Sequence, residues 1–225
     1  MDGILVVNKP QGMTSHDVVD FIRRRFSIKK VGHAGTLDPM ATGVLVMLIG
    51  KYTKSSNTLL AEDKEYEAEL VLGGTSDTGD AWGNIKASDK NISFDEAEIR
   101  NVFNKFLGEI DQHPPMYSAV KVNGRKLYEL ARIGLSVDRK PRKIVINRLG
   151  ISKIELPRVS FELTCSKGTY VRQLCSDIGE ALGCGAYLSR LNRTRSGRFA
   201  IDKALELDTL RNFKALDLEE RLLIL

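Results

Sequence analysis

Apolar positions along the chain form short runs and alternations that predict β-strands. Residues 3–7 are an apolar run, Gly-Ile-Leu-Val-Val, which ends before the turn signal Pro-Gln-Gly at 10–12. Residues 44–49 are apolar throughout, which indicates a buried segment that is either strand or helix. Over 64–72 the side chains alternate, with Tyr66 on the apolar side and glutamates on the other, so this stretch predicts a half-buried strand.

Spacings of three and four residues predict helices between these strands. A helix is expected over 16–26, with the preceding Thr-Ser pair supplying its N-cap. Residues 93–110 are amphipathic, with Ser93 as the expected N-cap and Glu96 completing a capping box. The leucine-rich stretch 206–225 is expected to be helical as well.

Two further stretches change the type of element within a few residues. An Asn-Gly turn at 123–124 precedes a short helix, and 158–182 reads as a strand, a turn and a helix. Strands and helices therefore mix without the regular βαβ rhythm of a Rossmann fold. The pattern predicts an α+β fold with a mixed sheet.

Length and composition exclude several classes of protein. A chain of 225 residues with 42% hydrophobic residues suits one large domain, and it has no apolar run of about 18 residues that would span a membrane. The start of the chain shows no signal peptide. Three cysteines without a CxxC pair fit a reduced, cytoplasmic protein, and three histidines without ligand spacing argue against a metal site.

Charge is distributed unevenly along the chain. Residues 62–111 hold 13 acidic and 5 basic residues, whereas residues 121–148 hold 9 basic and 2 acidic ones. Residues 186–201 hold four arginines and no acid. This pattern is expected when one face meets a polyanion and another faces solvent, although an ordinary mixed surface remains an alternative.

One carboxylate stands out because of its setting. Asp38 precedes Pro39, which favours an extended backbone at Asp38. Gly32, Gly35 and Gly43 surround it and let another backbone or a ligand come close. These residues indicate a carboxylate presented on a rigid turn, while an ordinary Asp-Pro turn is the simpler alternative.

The segment 166–172, Ser-Lys-Gly-Thr-Tyr-Val-Arg, is the second candidate. If a strand ends in Tyr170 and Arg172, the two side chains share one face because the side-chain period of a strand is two. An arginine there can pair with a carboxylate, and the aromatic ring can wall a planar ligand. A surface arginine beside a core tyrosine is the alternative.

Several segments resemble, in order, the motifs of the TruB-type tRNA pseudouridine synthases. They are "GILVVNKPQGMTSHDVV", "GHAGTLDPMATGVL", "GGTSDTGDAWG", "PPMYSAVKVNGRKLYELARIG" and "CSKGTYVRQLCSDIGEALGCGAYL", and they extend from residue 3 to about residue 200. The resemblance implies a mixed, mainly antiparallel central sheet with flanking helices.

The resemblance also implies the chemistry. Members isomerise uridine 55 in the T loop of tRNA by breaking the C1′–N1 bond and forming a C1′–C5 bond, without cofactor or metal. Asp38 matches the family's essential aspartate, acting either as a nucleophile or as a base on the ribose. Arg172 matches the arginine that pairs with it, and Tyr66 matches the tyrosine that stacks on the target base.

Further roles carry over by position. Tyr170 and Leu191 match residues that line the base pocket, and His33 matches a histidine that fills the gap left by the flipped base. Lys9 matches the opening motif and is expected to support the Asp38 turn, and Asp80 matches an acidic residue near the cleft. The expected phosphate contacts are Lys121, Arg125, Lys126 and Arg193.

The expected organisation is one catalytic domain over 1–225, with an RNA-gripping thumb at about 112–148 and without the family's usual small C-terminal RNA-binding domain. The expected partner is the T-arm stem-loop of tRNA, bound by a monomer in the cytoplasm. Two alternatives stay open. One is an RNA-binding protein without catalysis, and the other is a synthase directed to other RNA by a guide, although guide-dependent relatives carry a longer C-terminal domain.

Overall fold

A computed structural model describes residues 1–90, 92–122 and 124–224. The chain forms two compact units: unit 1 is Met1–Glu67 with Leu191–Leu225, and unit 2 is Ala68–Arg190. The strands are β1 (Gly3–Lys9), β2 (Val31–Ala34), β3 (Thr42–Ile49), β4 (Lys64–Leu72), β5 (Gly74–Ser76), β6 (Ile85–Ala87), β7 (Gly108–Gln112), β8 (Lys121–Val122), β9 (Arg125–Lys126), β10 (Arg142–Glu155), β11 (Arg158–Cys165), β12 (Ala186–Ser196), β13 (Phe199–Ala200) and β14 (Leu205–Glu206).

The helices are α1 (Ser15–Arg25), α2 (Ser56–Leu60), α3 (Glu96–Asn104), α4 (Leu127–Arg132), α5 (Val171–Ala181), α6 (Leu207–Asn212) and α7 (Ala215–Glu220). Two 3₁₀-helices cover Gly50–Ser55 and Ile201–Lys203. Strands β4 and β12 each begin in one unit and end in the other.

Unit 1 is built around the two apolar runs that the sequence marks. Strand β3 pairs antiparallel with β1, from Gly3 opposite Ile49 to Lys9 opposite Gly43, and antiparallel with β2. Strand β1 also pairs in parallel with β14, and β3 in parallel with β12. Every residue of β3 after Thr42 is buried, which explains its unbroken apolar sequence and resolves the ambiguity between strand and helix in favour of strand.

Helix α1 covers one side of these strands and confirms the helix expected over 16–26. Thr14 is its N-cap and forms a capping box with Asp17. Val18, Val19 and Ile22 form its buried side. The spacing of these three residues is the helical period that the sequence shows.

The C-terminal stretch of unit 1 contains two short helices, α6 and α7, as its leucine content predicts. After them Leu223 returns to extended backbone and exchanges two hydrogen bonds with Ile4, at 2.9 and 2.8 Å. The stretch is therefore not helical throughout.

Unit 2 contains an antiparallel arrangement in which β10 lies between β7 and β11. Helix α3 packs on this sheet, where Phe103 meets Phe161 edge to face at 5.6 Å. Its N-cap is Asp95, whose carboxylate accepts from Glu98 N, so the expected cap at Ser93 is wrong. Aspartate and serine cap equally well, and the helix starts where its apolar side reaches the sheet.

Strands β8 and β9, on either side of the predicted turn at 123–124, pair antiparallel, and Asn123 itself lies outside the described residues. The short helix expected after it is α4. Strands pair both ways in unit 1 and antiparallel in unit 2, and helices cover them, which confirms the α+β class with a mixed, mainly antiparallel sheet. The single-domain organisation stays a prediction.

Candidate active site

The two units divide the predicted site residues between them. Unit 1 carries Lys9, His33, Asp38, Tyr66, Leu191 and Arg193. Unit 2 carries Asp80, Lys121, Arg125, Lys126, Tyr170 and Arg172. Unit 1 therefore contains one predicted carboxylate and one predicted arginine, and unit 2 contains one predicted carboxylate and two predicted arginines.

Asp38 lies on the turn between β2 and β3, and other parts of unit 1 hold this turn in place. The hydroxyl of Ser15 accepts from Leu37 N at 2.8 Å and donates to Leu37 O at 3.1 Å. Gly12 N donates to Pro39 O at 2.9 Å. Asp38 is half-buried and lies between Leu37 and Pro39, whose backbone atoms these hydrogen bonds hold. The backbone that carries the carboxylate is therefore fixed on both sides.

Lys9, the last residue of β1, is a buried cation of the same unit. It is 0% exposed, and its Nζ donates to Pro10 O at 2.9 Å and to Met13 O at 2.6 Å. Burial lowers the pKa of Lys9 to about 8, and the negative charge of Asp38 acts in the opposite direction. Lys9 thus holds the loop that contains Gly12 and has no exposed surface with which to touch a ligand.

Arg193, a predicted phosphate contact, is a buried structural residue. It is 1% exposed, and its guanidinium donates to the backbone oxygens of Val44 at 2.7 Å, Gly35 at 3.0 Å and Thr36 at 3.4 Å. A Cβ at Gly43 would lie 2.3 Å from the backbone oxygen of Arg193, so glycine is required at this close approach. The phosphate prediction is wrong for Arg193, because its donors hold the turn between β2 and β3.

Tyr66 and Leu191, which are expected to meet the target base, lie on strands of unit 1, as does His33, which is expected to fill the gap that the flipped base leaves. Leu191 on β12 is buried, and Tyr66 on β4 and His33 on β2 are half-buried. Burial lowers the pKa of His33, and the charges of Arg193 and His16 lower it further, so its imidazole is neutral at pH 7. In the described part of the chain, Nδ1 of His33 is buried without a hydrogen-bond partner. A neutral ring with an unused polar atom can meet a polar ligand.

In unit 2 Arg172 is 4% exposed and lies next to Asp80, which is 6% exposed. Arg172 Nη1 donates to Thr78 O at 2.6 Å, and Nη2 donates to Tyr117 O at 2.9 Å. Its Nε lies 3.7 Å from Asp80 Oδ2, while Asp80 Oδ1 accepts from the Thr78 hydroxyl at 2.8 Å. The guanidinium is therefore fixed by two loops and carries a carboxylate beside it.

The sequence suggests that a strand ends in Tyr170 and Arg172, and the structure contradicts this. Tyr170 is the N-cap of α5, and Arg172 is the second residue of that helix. The buried amide of Gln112 accepts from Tyr170 N at 2.8 Å and donates to Tyr170 O at 3.1 Å. Sequence reasoning missed Gln112, because its partner is 58 residues away and no local pattern marks it.

The basic residues of the predicted thumb lie on the hairpin β8–β9. Lys121 and Arg125 are exposed, and Lys126 is half-buried, with Nζ donating to the Tyr128 hydroxyl at 3.2 Å. Arg139, farther along, donates to Pro114 O at 3.0 Å. Lys121 and Arg125 can therefore meet a phosphate directly, whereas Arg139 already holds backbone.

Two cavities of unit 2 differ in their relation to the predicted residues. One of about 230 Å³ is lined by Arg172 together with residues of the loop before Asp80. The other, of about 380 Å³, is lined by acidic residues of α5 and by the end of α3. Burial raises the pKa of Asp177 there. The larger cavity contains none of the predicted site residues, so the smaller one is the more relevant to the site.

Among the described residues, no group of three or more His, Cys, Asp or Glu side chains is placed to hold a metal ion. The same part of the chain contains no helix that is both long enough and apolar enough to cross a membrane. All three cysteines are free and buried.

Two family models together match most of the chain. Residues 23–171 match the model described as TruB family pseudouridylate synthase (N terminal domain). Residues 172–223 match the one described as tRNA pseudouridylate synthase B C-terminal domain.

Proteins named tRNA pseudouridine synthase B are similar over nearly the whole chain. The protein of Syntrophotalea carbinolica is 50% identical over 99% of this chain and 73% of its own length. That of Opitutus terrae is 46% identical over 99% of this chain and 92% of its own length.

Solved structures show the same fold. A chain in a Cbf5-Nop10-Gar1 complex is 34% identical, with a TM-score of 0.76 over 97% of this chain, and this chain spans 56% of that one. A chain in an H/ACA RNP bound to a substrate RNA containing 2′-deoxyuridine is 31% identical, with a TM-score of 0.71 over 97% of this chain and 55% of its own. The chain belongs to the TruB family and is a pseudouridine synthase.

Proposed function

We propose that the protein converts uridine 55 in the T loop of tRNA to pseudouridine, with Asp38 as the essential carboxylate. The observation that carries the proposal is the turn that presents Asp38. Ser15, Gly12 and Arg193 form hydrogen bonds with its backbone, and the negative charge of Asp38 acts on the buried Lys9. A carboxylate fixed in this way is pre-organised to act on a bound nucleotide.

The reaction is an isomerisation whose atoms balance without an oxidant or reductant. The C1′–N1 bond of the uridine breaks, the uracil turns, and C1′ bonds to C5. The proton on C5 leaves, and N1 takes up a proton. Asp38 acts either by attacking carbon, with a bond that breaks again before product leaves, or by taking a proton from the ribose and returning it when C1′ bonds to C5.

Arg172 is proposed to pair with Asp38 when the site is assembled. Its guanidinium is always charged, and its two hydrogen bonds to Thr78 and Tyr117 fix its plane. A fixed positive charge keeps a carboxylate ionised in a pocket from which substrate excludes water. Asp80 then orients Arg172 through the contact at 3.7 Å.

The remaining residues are proposed to hold the flipped base. The target uridine must leave its stack at a cost of a few kcal/mol. Tyr66 stacks on the uracil, Tyr170 and Leu191 line the pocket, and the neutral His33 fills the gap in the T loop. Lys121, Arg125 and Lys126 contact phosphates.

The substrate assignment is supported by the names of the curated relatives, which are tRNA pseudouridine synthases B. The chain in the H/ACA RNP is 31% identical, against 50% and 46% for the two tRNA enzymes, so the guide-directed alternative has the weaker support. A T-arm hairpin separates the two, since a tRNA enzyme modifies it without a guide RNA. A monomer in the cytoplasm remains our expectation.

The first test is Asp38→Asn. An amide is neither a nucleophile nor a base, so the variant should bind a T-arm hairpin like the wild type and form no pseudouridine. Tritium release from [5-³H]uridine-labelled tRNA measures the reaction, and primer-extension mapping locates the product. The matched control is Asp89→Asn, an exposed carboxylate of unit 2, which should keep full activity. Near-normal release by Asp38→Asn would remove this residue from the mechanism.

A further inference from the structure

The loop between β5 and β6 is a tightly bonded frame. Asp77 accepts from Asn84 N at 2.8 Å and from Asn84 Nδ2 at 2.9 Å, which closes the loop at its base. A Cβ at Gly83 would lie 2.2 Å from Asp77 Oδ1, 2.3 Å from Thr78 Oγ1 and 2.5 Å from Ser76 Oγ. Three polar side chains therefore fill the inside of the loop and leave it little freedom to move.

The same loop is fastened to the rest of unit 2. Ala81 N donates to Leu188 O at 2.8 Å. Asp80 Oδ1 accepts from Trp82 N at 3.0 Å, and Asp80 Oδ2 lies 3.7 Å from Arg172 Nε. One carboxylate thus connects the backbone of Trp82 to the guanidinium of Arg172.

Trp82 projects from this frame with 54% of its surface exposed, and it is the single tryptophan of the sequence. Ile85, at the start of β6, is 47% exposed. Scattered exposed apolar residues are common, so exposure alone carries no argument. Here the ring of Trp82 lies on a well-bonded loop, and Asp80 contacts both the backbone of Trp82 and the guanidinium of Arg172.

We propose that Trp82 is an RNA-binding residue, and that its indole ring stacks on an unpaired base of the substrate next to the target uridine. The inference rests on the proposed function, because it requires an RNA loop at Arg172. Proteins read single-stranded RNA loops by stacking bases on aromatic rings. An aromatic ring on a fixed loop loses little entropy when it does so.

The charges around Trp82 favour a base over a phosphate. The exposed carboxylate of Asp77 accepts two hydrogen bonds from Asn84. These bonds lower the pKa of Asp77, so the carboxylate remains negative. A phosphate would be repelled by this carboxylate, whereas the face of a base carries no net charge. The exposed side of the loop therefore suits the base side of an RNA strand.

Because Trp82 is the single tryptophan, the intrinsic tryptophan fluorescence of the protein reports on this position alone. Titration of the wild type with a T-arm hairpin should quench it, with the same Kd that filter binding gives. Hairpins with one abasic nucleotide at each loop position identify the stacked base, because quenching should be lost at one or two positions only.

Substitution provides an independent measurement. Trp82→Ala should weaken hairpin binding on the order of tenfold and leave the salt dependence of Kd unchanged, because no charge is lost. Trp82→Phe should keep most of the affinity, and Trp82→Leu should keep less than Trp82→Phe. The control is Leu107→Ala, another exposed apolar residue of unit 2, which should bind as the wild type does.

The outcomes separate this inference from the proposed function. If the wild type binds the hairpin and forms pseudouridine, but its fluorescence is unchanged and Trp82→Ala binds equally well, the inference is overturned and the proposed function stands. Quenching that survives every single abasic substitution also overturns it, because no one base is then the partner. A wild type that neither binds nor modifies the hairpin overturns both.

Discussion

Two of the predicted site residues, Arg193 in unit 1 and Arg172 in unit 2, are arginines of similar burial and different surroundings. Arg193 donates only to backbone oxygens in the hydrogen bonds described, those of Gly35, Thr36 and Val44. Arg172 donates to two backbone oxygens and also lies 3.7 Å from the carboxylate of Asp80.

The difference indicates what each arginine is for. A guanidinium that satisfies carbonyls shapes a turn, and in unit 1 that turn carries Asp38. A guanidinium that also has a carboxylate beside it and lines a cavity of about 230 Å³ is in a position to act on a bound molecule. Burial alone does not separate these roles, and the following predictions do.

The largest effect is expected for Arg193→Ala. Its removal leaves three backbone oxygens without their donor in a buried place, so the free energy of unfolding should fall by about 4 kcal/mol. Urea denaturation measures this. The control Arg190→Ala removes an exposed arginine of the same strand and should change stability by less than about 0.5 kcal/mol. Equal losses in the two variants would contradict a structural role for Arg193.

The next effect separates activity from stability. A lysine ammonium carries all its donors on one atom and cannot reach the separate positions of Nη1, Nη2 and Nε, so Arg172→Lys should lower kcat about 100-fold, a change of about 2.7 kcal/mol. Arg193→Lys should lower the Tm and should lower kcat less than Arg172→Lys does, because Arg193 acts on Asp38 only through the backbone of its turn. Tritium release gives kcat. A similar loss of kcat in both variants would mean that the two arginines are equivalent in catalysis.

Lys9 extends the comparison, because a buried lysine can lose its proton and an arginine cannot. The pKa of Lys9 is about 8 in the folded protein and 10.5 in an unfolded chain. Between these values the unfolded state binds more protons, so the free energy of unfolding should rise with pH relative to that of Lys9→Met.

Urea denaturation at pH 7.5, 9 and 10 tests this, with the exposed lysine variant Lys51→Met as control. The free energy of unfolding of the wild type minus that of Lys9→Met should increase with pH. The same difference between the wild type and Lys51→Met should stay constant. Parallel curves for Lys9→Met would show that its ammonium is not destabilised by burial.

The smallest effect is expected for the exposed cations of the hairpin β8–β9. If Lys121 and Arg125 each contact one phosphate, Lys121→Ala or Arg125→Ala should make the slope of log affinity against log salt concentration shallower by about one unit. Between 50 and 200 mM salt this is about a threefold change in relative affinity. Lys86→Ala and Lys90→Ala, in the acidic segment, are the controls. Filter binding of a T-arm hairpin is the measurement, and wild-type affinity of the hairpin variants at low salt would refute the RNA assignment of this surface.

Much of the local structure follows from residue patterns. The apolar runs at 3–7 and 44–49 became β1 and β3, and the alternation at 64–72 became β4. Where two caps were possible, the pattern was less decisive. Asp95 with Glu98, rather than Ser93 with Glu96, starts α3, because packing on the sheet selects between neighbouring caps of similar strength.

The other predictions that failed depended on distant partners. Arg193 was grouped with exposed arginines because charge counts contain no information about burial. Tyr170 and Arg172 were placed on a strand, whereas α5 starts between them, at Val171, and Gln112 fixes the start of that helix from 58 residues away.

By itself, the sequence determined most of the elements, the α+β class and the turn on which Asp38 lies, because periodicity, capping and glycine placement act over a few residues. It also carried the motifs by which the family is identified. Only the tertiary structure decided which cations are buried and what they hold. Arg172 and Arg193 are both arginines in basic or mixed segments, yet each is held by backbone oxygens more than 50 residues away that folding brings to it. A long-range hydrogen bond depends on two segments of the chain, and the burial of a side chain depends on every segment that packs around it. Neither can therefore be predicted from one segment alone.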